Sequence, residues 1–134
     1  MPRGQGPGRQ EATMKYALLI YSPAGAREYD APRPETSENI ASYVRALRDS
    51  GVLLATEQLT HADTATSVRL RGEERLITDG PFLETKEHLL GFVLIDVPDL
   101  DAALDWAARM PASAIGTVEV RAVKTGQPWQ AMLG

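Results

Sequence analysis

The chain switches between continuous apolar runs and periodic mixed segments, and these switches predict its strands and helices. Residues 16–21 and 89–97 are apolar at nearly every position, which is typical of strands buried on both faces. Residues 52–57 form another short apolar run, and residues 117–123 alternate between apolar and polar side chains. The pattern therefore predicts four main strands, two of which lack a polar face.

Two helices are predicted between these strands. Thr36 or Ser37 is expected to cap the first, and Gly51 stands where a left-handed cap ends a helix. Asp99 is expected to cap the second, which ends by Pro111. Each helix carries one apolar stripe at helical spacing. The stripes are Ile40, Tyr43, Val44 and Leu47 in the first helix, and Leu100, Ala103, Leu104 and Ala107 in the second.

A hairpin is inserted in the middle of the chain. Residues 66–71 and 75–78 are strand-like, and Gly72 and Glu73 between them suit a tight turn. The predicted order is thus strand, helix, strand, hairpin, strand, helix, strand. This order is typical of a ferredoxin-like α+β sandwich, a βαβ-hairpin-βαβ arrangement with an antiparallel sheet.

Two helices cover only one face of such a sheet, yet two of its strands are apolar on both faces. An uncovered apolar face of this size is a liability in a monomer. We therefore expect a two-fold homodimer in which two sheets pack face to face, with any pocket lying between them.

The two ends of the chain differ from its body. Residues 1–13 are rich in Gly, Pro and Arg and carry almost no apolar side chains, so we expect a disordered leader. Residues 14–124 form the predicted domain, and Met14 is a plausible true start. Residues 125–134 are expected to form a tail, with Trp129 and Leu133 as candidates to dock on the body.

Composition narrows the function. The 134 residues suit one domain with a real core, and the absence of cysteine excludes disulfides and thiolate chemistry. A net charge of −4 without a basic stripe argues against nucleic acid as a partner. Neither a membrane-spanning run nor a signal peptide is evident, so we expect a cytoplasmic protein. No phosphate loop or metal-ligand motif is present, and we expect no cofactor and no metal.

Residues 78–87 gather a turn signal and several ionisable groups between two strands. Asp79, Gly80 and Pro81 suit a tight turn, which alone explains these three residues. The functional interpretation is that the turn holds Asp79 at a strand end facing the inter-sheet cleft as a general base or ligand anchor. Glu84 is the second candidate catalytic carboxylate of this segment.

Further candidates have both a structural and a functional interpretation. Phe82 is either a core plug or an aromatic wall, and Lys86 either pairs with neighbouring charges or orients a ligand. Glu57 either points into the barrel as a catalytic group or marks the end of its strand. Glu119 and Arg121 share one face of a strand. They form a pair that either binds ligand or stabilises the dimer.

His61, followed by Asp63, lies in a polar loop. It is either a surface residue or a pH-responsive base. No nucleophile elbow supports Ser-His-Asp catalysis.

The segment 78–87, with the sequence TDGPFLETKE, resembles the YCII-related family in its DGPF-motif branch. The resemblance extends over about residues 14–123 through four supporting stretches, although Ala122 replaces the Pro usual in the branch. Those stretches are residues 14–21, 55–59, 91–100 and 118–121.

The resemblance implies a dimeric α+β-barrel fold. Most proteins of the family that the chain resembles have no assigned activity. Many are encoded beside extracytoplasmic-function sigma factors, so the resemblance also implies a regulatory or stress setting. One YCII relative is a dehydrochlorinase of a chlorinated hydroxyquinol, and others carry a proposed His–Asp pair in a cleft. That histidine has no matching position here, so neither His61 nor His88 inherits the role.

Three functional hypotheses follow. The first is a homodimer that binds a small organic molecule between its sheets and catalyses cofactor-independent acid–base chemistry of the lyase or isomerase kind. The second is a non-catalytic regulatory or ligand-sensing module linked to a sigma factor. In the third, the motif is purely architectural.

Overall fold

The structure, a computed structural model, describes residues 13–23, 34–81, 85–111, 116–125 and 129–133. The elements are β1 (Met14–Pro23), α1 (Pro34–Asp49), β2 (Leu53–Gln58), β3 (Thr66–Arg71), β4 (Glu74–Asp79), β5 (Glu87–Val97), α2 (Leu100–Arg109) and β6 (Thr117–Ala122). Short 3₁₀ turns occupy Ala62–Thr64 and Trp129–Leu133. No helix in the described ranges is long and apolar enough to cross a membrane.

Four strands form one antiparallel sheet in the order β2-β5-β1-β6. The other two, β3 and β4, form a separate two-stranded sheet. This is the strand order of a ferredoxin-like fold, with the hairpin inserted between the second and third sheet strands. The α+β class, the antiparallel sheet and the hairpin predicted from the sequence are confirmed.

The core lies between the helices and one face of the sheet. Alternate residues of β1 and β5 are buried there against the apolar stripes of α1 and α2. The largest fully buried side chains are Leu18, Leu47, Val93, Ile95 and Val97. Because these positions alternate along the strands, the remaining side chains of β1 and β5 point to the other face.

That second face, called the open face below, is apolar at its centre. Ala17, Leu19, Phe92 and Leu94 occupy its two middle strands and are half-buried. Both faces of β1 and β5 are therefore apolar, as the sequence predicted. Glu119 and Arg121 lie on the same face, on β6, and the single chain leaves both exposed.

A β-bulge interrupts the pairing of β1 with β5. Ile20 pairs with Gly91, but Tyr21 pairs with Leu89, so Leu90 is an extra residue on β5. Beyond the bulge, Glu87 pairs with Pro23 and shares the open face with Tyr21.

Three local predictions differ from the structure. Helix α1 begins at Pro34 rather than after Thr36 or Ser37, and proline suits the first helical turn because its missing N–H has no partner there. The inner stripe of α2 is also shifted. Ala103 and Ala107 are buried, whereas Leu100 and Leu104 are 49% and 46% exposed.

The predicted docking of the tail is wrong as well, since Trp129 and Leu133 are 88% and 86% exposed. The predicted helix termini at Asp99 and Gly51 are confirmed. The Asp99 carboxylate accepts a 2.9 Å hydrogen bond from the Ala102 N–H, and Gly51 adopts φ +77°.

Candidate functional site

A cleft of about 450 Å³ lies at one end of the four-stranded sheet. It is formed where β1 and β5 meet the loop after β2 and the base of the β3–β4 hairpin. Apolar walls come from Leu59, Pro81 and Leu89, and Tyr21 and Leu89 connect the cleft to the open face. The polar side chains that line it are Tyr21, Thr60, His61, Thr64, Thr85, Glu87 and His88.

His61 is held in place by the 3₁₀ turn that it caps. Its Nδ1 accepts a 3.2 Å hydrogen bond from the Asp63 N–H, and the same nitrogen lies 3.3 Å from Asp63 Oδ2. The His61 carbonyl accepts bonds from the Thr64 N–H at 2.9 Å and from Thr64 Oγ1 at 2.6 Å. The ring is thereby fixed at the cleft wall, with only 15% of its side chain exposed.

The two contacts of His61 Nδ1 require different protonation states. Accepting the Asp63 N–H needs a lone pair on Nδ1, which in the neutral ring puts the proton on Nε2. Donating to the Asp63 carboxylate needs a proton on Nδ1. Asp63 therefore offers Nδ1 both a donor, its N–H, and an acceptor, its carboxylate, so that it accommodates either tautomer of the ring.

His88 is brought beside His61 by the strand register. The ladder between β2 and β5 continues past Gln58, where the Leu59 N–H donates to the Leu90 carbonyl at 2.6 Å. His61 and His88 lie two residues beyond Leu59 and Leu90 respectively, and their rings meet edge to face with centroids 6.3 Å apart. The sequence did not predict a role for His88, because its position beside His61 depends on how β2 and β5 pair, which local patterns do not show.

Tyr21 and Glu87 supply the open-face side of the cleft. Tyr21 donates a 3.3 Å hydrogen bond from its hydroxyl to Glu119, and Thr117 donates from Oγ1 to Glu87 at 3.2 Å. Burial, followed by the nearby negative charge of Glu119, raises the pKa of Tyr21 above 10.0, although Arg121 acts in the opposite direction. The phenol therefore stays protonated at neutral pH. Sequence analysis missed Tyr21 because it reads as the last residue of an apolar strand.

The motif around Asp79 forms the base of the hairpin. Gly80 has φ +94°, a left-handed conformation that suits glycine, and its N–H donates to the Ala65 carbonyl at 2.6 Å. Ser67 donates from its hydroxyl to the Gly80 carbonyl at 2.9 Å. Pro81 lines the cleft, whereas Asp79 lies exposed at the end of β4, opposite Thr66, outside the cleft lining.

The remaining predicted residues are dispersed. Glu57 borders a separate, mostly apolar cavity of about 90 Å³ between α1 and the sheet. Lys86 is exposed in the turn before β5, and Arg121 lies on the open face near Tyr21. Phe82 and Glu84 lie outside the described residues. Within the described ranges, no three acidic or histidine side chains are grouped so as to hold a metal ion.

Comparison with known proteins identifies the family. The model of the YCII-related domain matches residues 14–130, nearly the whole chain. The chain belongs to the YCII-related family. An uncharacterised protein of Rhizobium meliloti (strain 1021) is 34% identical to this YCII-related protein over 122 residues, which cover 86% of this chain and 96% of the relative. Because that relative is uncharacterised, the site has to be judged from its geometry.

Proposed function

We propose that this YCII-related protein, a member of the DGPF-motif branch, binds a small organic molecule in the cleft and performs cofactor-independent acid–base chemistry there with His61. The observation that supports this is the meeting of His61, His88 and Tyr21 around one cleft of about 450 Å³. Small-molecule sites typically measure about 300–1,000 Å³ and combine apolar walls with a few polar groups. The walls formed by Leu59 and Leu89 fit that description.

The chemistry follows from the contact of His61 with the Asp63 carboxylate. With the Nδ1 proton donated to Asp63, Nε2 carries a lone pair and acts as a base. Once Nε2 has taken a proton, the ring is an imidazolium that the Asp63 carboxylate stabilises, and its Nε2–H acts as the acid. One side chain thus takes a proton from a carbon or oxygen of the ligand and returns it elsewhere, as an isomerase or lyase step requires. Tyr21, protonated at neutral pH, is suited to donate to an oxygen that gains negative charge once its O–H turns away from Glu119.

We further propose that two copies pack through their open faces. Leu19, Phe92 and Leu94 would be covered by the same surface of the partner, as two-fold symmetry requires. The cleft reaches this face through Tyr21 and Leu89, so a second sheet would narrow its mouth.

Proton transfer is testable before the substrate is known. Fragments that raise the melting temperature of the protein are incubated with it in D₂O, and exchange of their carbon-bound hydrogens is followed by NMR. We expect exchange of at least one bound fragment and its loss in both His61→Ala and Asp63→Asn. The first variant removes the base, and the second removes the carboxylate that accepts the Nδ1 proton.

Asp79→Asn is the matched control, since Asp79 is an exposed carboxylate of the neighbouring hairpin outside the cleft lining. Exchange that survives in His61→Ala but stops in Asp79→Asn would transfer the catalytic role to Asp79. Saturable binding without exchange of any fragment would support the ligand-sensing function instead of catalysis.

A further inference from the structure

The β3–β4 hairpin exposes an apolar face that nothing in the described part of its own chain covers. Val68 pairs directly with Ile77, and Leu70 lies two residues along on the same face of the ribbon. These three side chains are 60%, 58% and 71% exposed, respectively. Contiguous apolar side chains of this kind on a soluble protein mark an interaction surface.

The hairpin also lacks support from the main sheet. Its two strands pair with each other and with neither edge of the four-stranded sheet. An isolated two-stranded ribbon is marginally stable in water, and packing of its apolar face is the usual remedy. Covering the exposed face of Val68, Leu70 and Ile77 would therefore stabilise the hairpin.

The base of the hairpin stands beside the open face of the sheet. Ala65 and Pro81, which precede β3 and follow β4, line the same cleft as Tyr21 and Leu89 of the open face. The bond from the Gly80 N–H to the Ala65 carbonyl closes this base. A second copy packed on the open face would therefore lie next to the hairpin.

The size of the open face argues for this second copy as the occupant. Four strands spaced about 4.8 Å apart and paired over about six residues of 3.3 Å give a footprint of about 400 Å². Stable interfaces bury about 800 Å² of accessible surface on each partner, which is about twice this footprint. The hairpin, whose base lines the cleft at the edge of this face, supplies further apolar area beside it.

The charges of the hairpin suit a partner with the same sequence. Three arginines and three acidic residues lie on or between its strands, so its formal charges cancel and it favours neither an acidic nor a basic partner. These residues are Arg69, Arg71, Glu73, Glu74, Arg75 and Asp79. A second copy presents the same balanced hairpin, so no charge on it opposes the approach of the first.

We propose that the apolar face of the β3–β4 hairpin docks on a second copy of this chain, as an arm that embraces the sheet-to-sheet dimer and completes the outer wall of the cleft. The proposal rests on the dimer proposed above. It adds to the contacts between the two sheet faces a second set of apolar contacts, made by the hairpin.

The test is the dimer dissociation constant, measured by sedimentation over a concentration series. Val68→Thr combined with Ile77→Thr removes apolar area while keeping strand-forming residues, so the ribbon is retained. We expect the constant to rise at least about tenfold, because a few buried apolar anchors dominate such interfaces and each is buried twice in a two-fold dimer. Leu100→Gln combined with Leu104→Gln is the control, since both leucines are about half exposed on α2.

The possible outcomes test the hairpin contact, the dimer and the catalytic proposal separately. A dissociation constant within twofold of the unmodified protein in Val68→Thr/Ile77→Thr would overturn the arm, as would an equal weakening in the α2 control. A monomeric unmodified protein would overturn arm and dimer together. The D₂O exchange at His61 is read in a separate experiment and does not depend on either result. Circular dichroism of each variant verifies that it is folded.

Discussion

Tyr43 joins the two helices through a single hydroxyl. It donates a 2.7 Å hydrogen bond to the Trp106 carbonyl, and the two rings meet edge to face with centroids 6.1 Å apart. The Arg109 guanidinium lies 4.2 Å from the centre of the Trp106 ring on α2. The apolar stripe of α1 predicted that Tyr43 is buried, but it did not predict the partner of the hydroxyl, because that partner is 63 residues away in the chain.

The pH dependence of stability tests this contact. Burial raises the pKa of Tyr43 from 10.0 to about 12, and Arg109 opposes the shift. Because the folded protein holds the proton more tightly, this contribution is complete below pH 10 and is lost as pH rises towards 12. The full shift corresponds to about 2–3 kcal/mol.

Tyr43→Phe isolates the effect in urea unfolding measured between pH 8 and 12. At pH 8 the variant should be less stable by about 1 kcal/mol, because the Trp106 carbonyl loses its donor. Between pH 10 and 12 the unmodified protein should lose stability faster, so that the order of the two reverses. A difference that stays constant across this range would contradict the shifted pKa.

At the scale of elements, Gly91 determines how closely β2 approaches β5. A Cβ at this position would lie 2.5 Å from the Glu57 carbonyl oxygen and 3.2 Å from the Gln58 Cα. Both are backbone atoms and cannot rotate away. The strand before the His61 loop is therefore positioned by the absence of a side chain.

Gly91→Ala should destabilise the protein by about 1–3 kcal/mol, because the added methyl group forces the two strands apart. Chemical unfolding measures this effect, and the edge-to-face contact between His61 and His88 should weaken with it, as NMR shifts of the two rings would report. Gly72→Ala is the control. Gly72 adopts φ +64° at the hairpin turn with nothing within 4 Å of its Cβ position, so its cost is local strain that leaves the His61 loop in place.

Most elements could be predicted because periodicity is a property of neighbouring residues. The stripe in α1, the cap at Asp99 and the turn at Gly72 all act within a few positions of the chain. The pairing of His61 with His88 depends instead on the register of β2 with β5, and on where the loop after β2 leaves that ladder. Local patterns contain neither quantity. The sequence therefore predicted both Asp79 and His61 as candidates, and only the strand pairing distinguishes His61, which lines the cleft, from Asp79, which does not.

The open face determines the behaviour of the whole molecule. Leu19 lies near its centre, between Phe92 of β5 and Glu119 of β6. It is half-buried in the single chain and distant from the helical layer. A charge at this position would barely disturb the fold, yet it would stand in the middle of the proposed sheet-to-sheet interface.

The unmodified protein should therefore sediment at micromolar concentration with twice the mass of one chain, and Leu19→Arg should sediment as a monomer. Each copy would have to remove an arginine from water in the middle of an apolar interface, which costs several kcal/mol even beside Glu119. Leu104→Arg is the matched control because it makes the same substitution on an exposed position of α2. A monomeric unmodified protein, or equal effects of both variants, would contradict the dimer.

The β-bulge at Leu90 determines which side chains of β5 face each side of the sheet. With the bulge, Glu87 shares the open face with Tyr21, and His88 pairs with Ser22 on the other face. A slip of one residue exchanges the faces of every side chain beyond it. If the same residues paired without the bulge, Leu90 would stand opposite Tyr21 and His88 would stand opposite Pro23 on the open face. Imidazole would then lie where this protein presents carboxylate, without any substitution in the segment itself. Among YCII-related proteins, the loss of this bulge at unchanged chain length would therefore be enough to alter which ligands the cleft accepts.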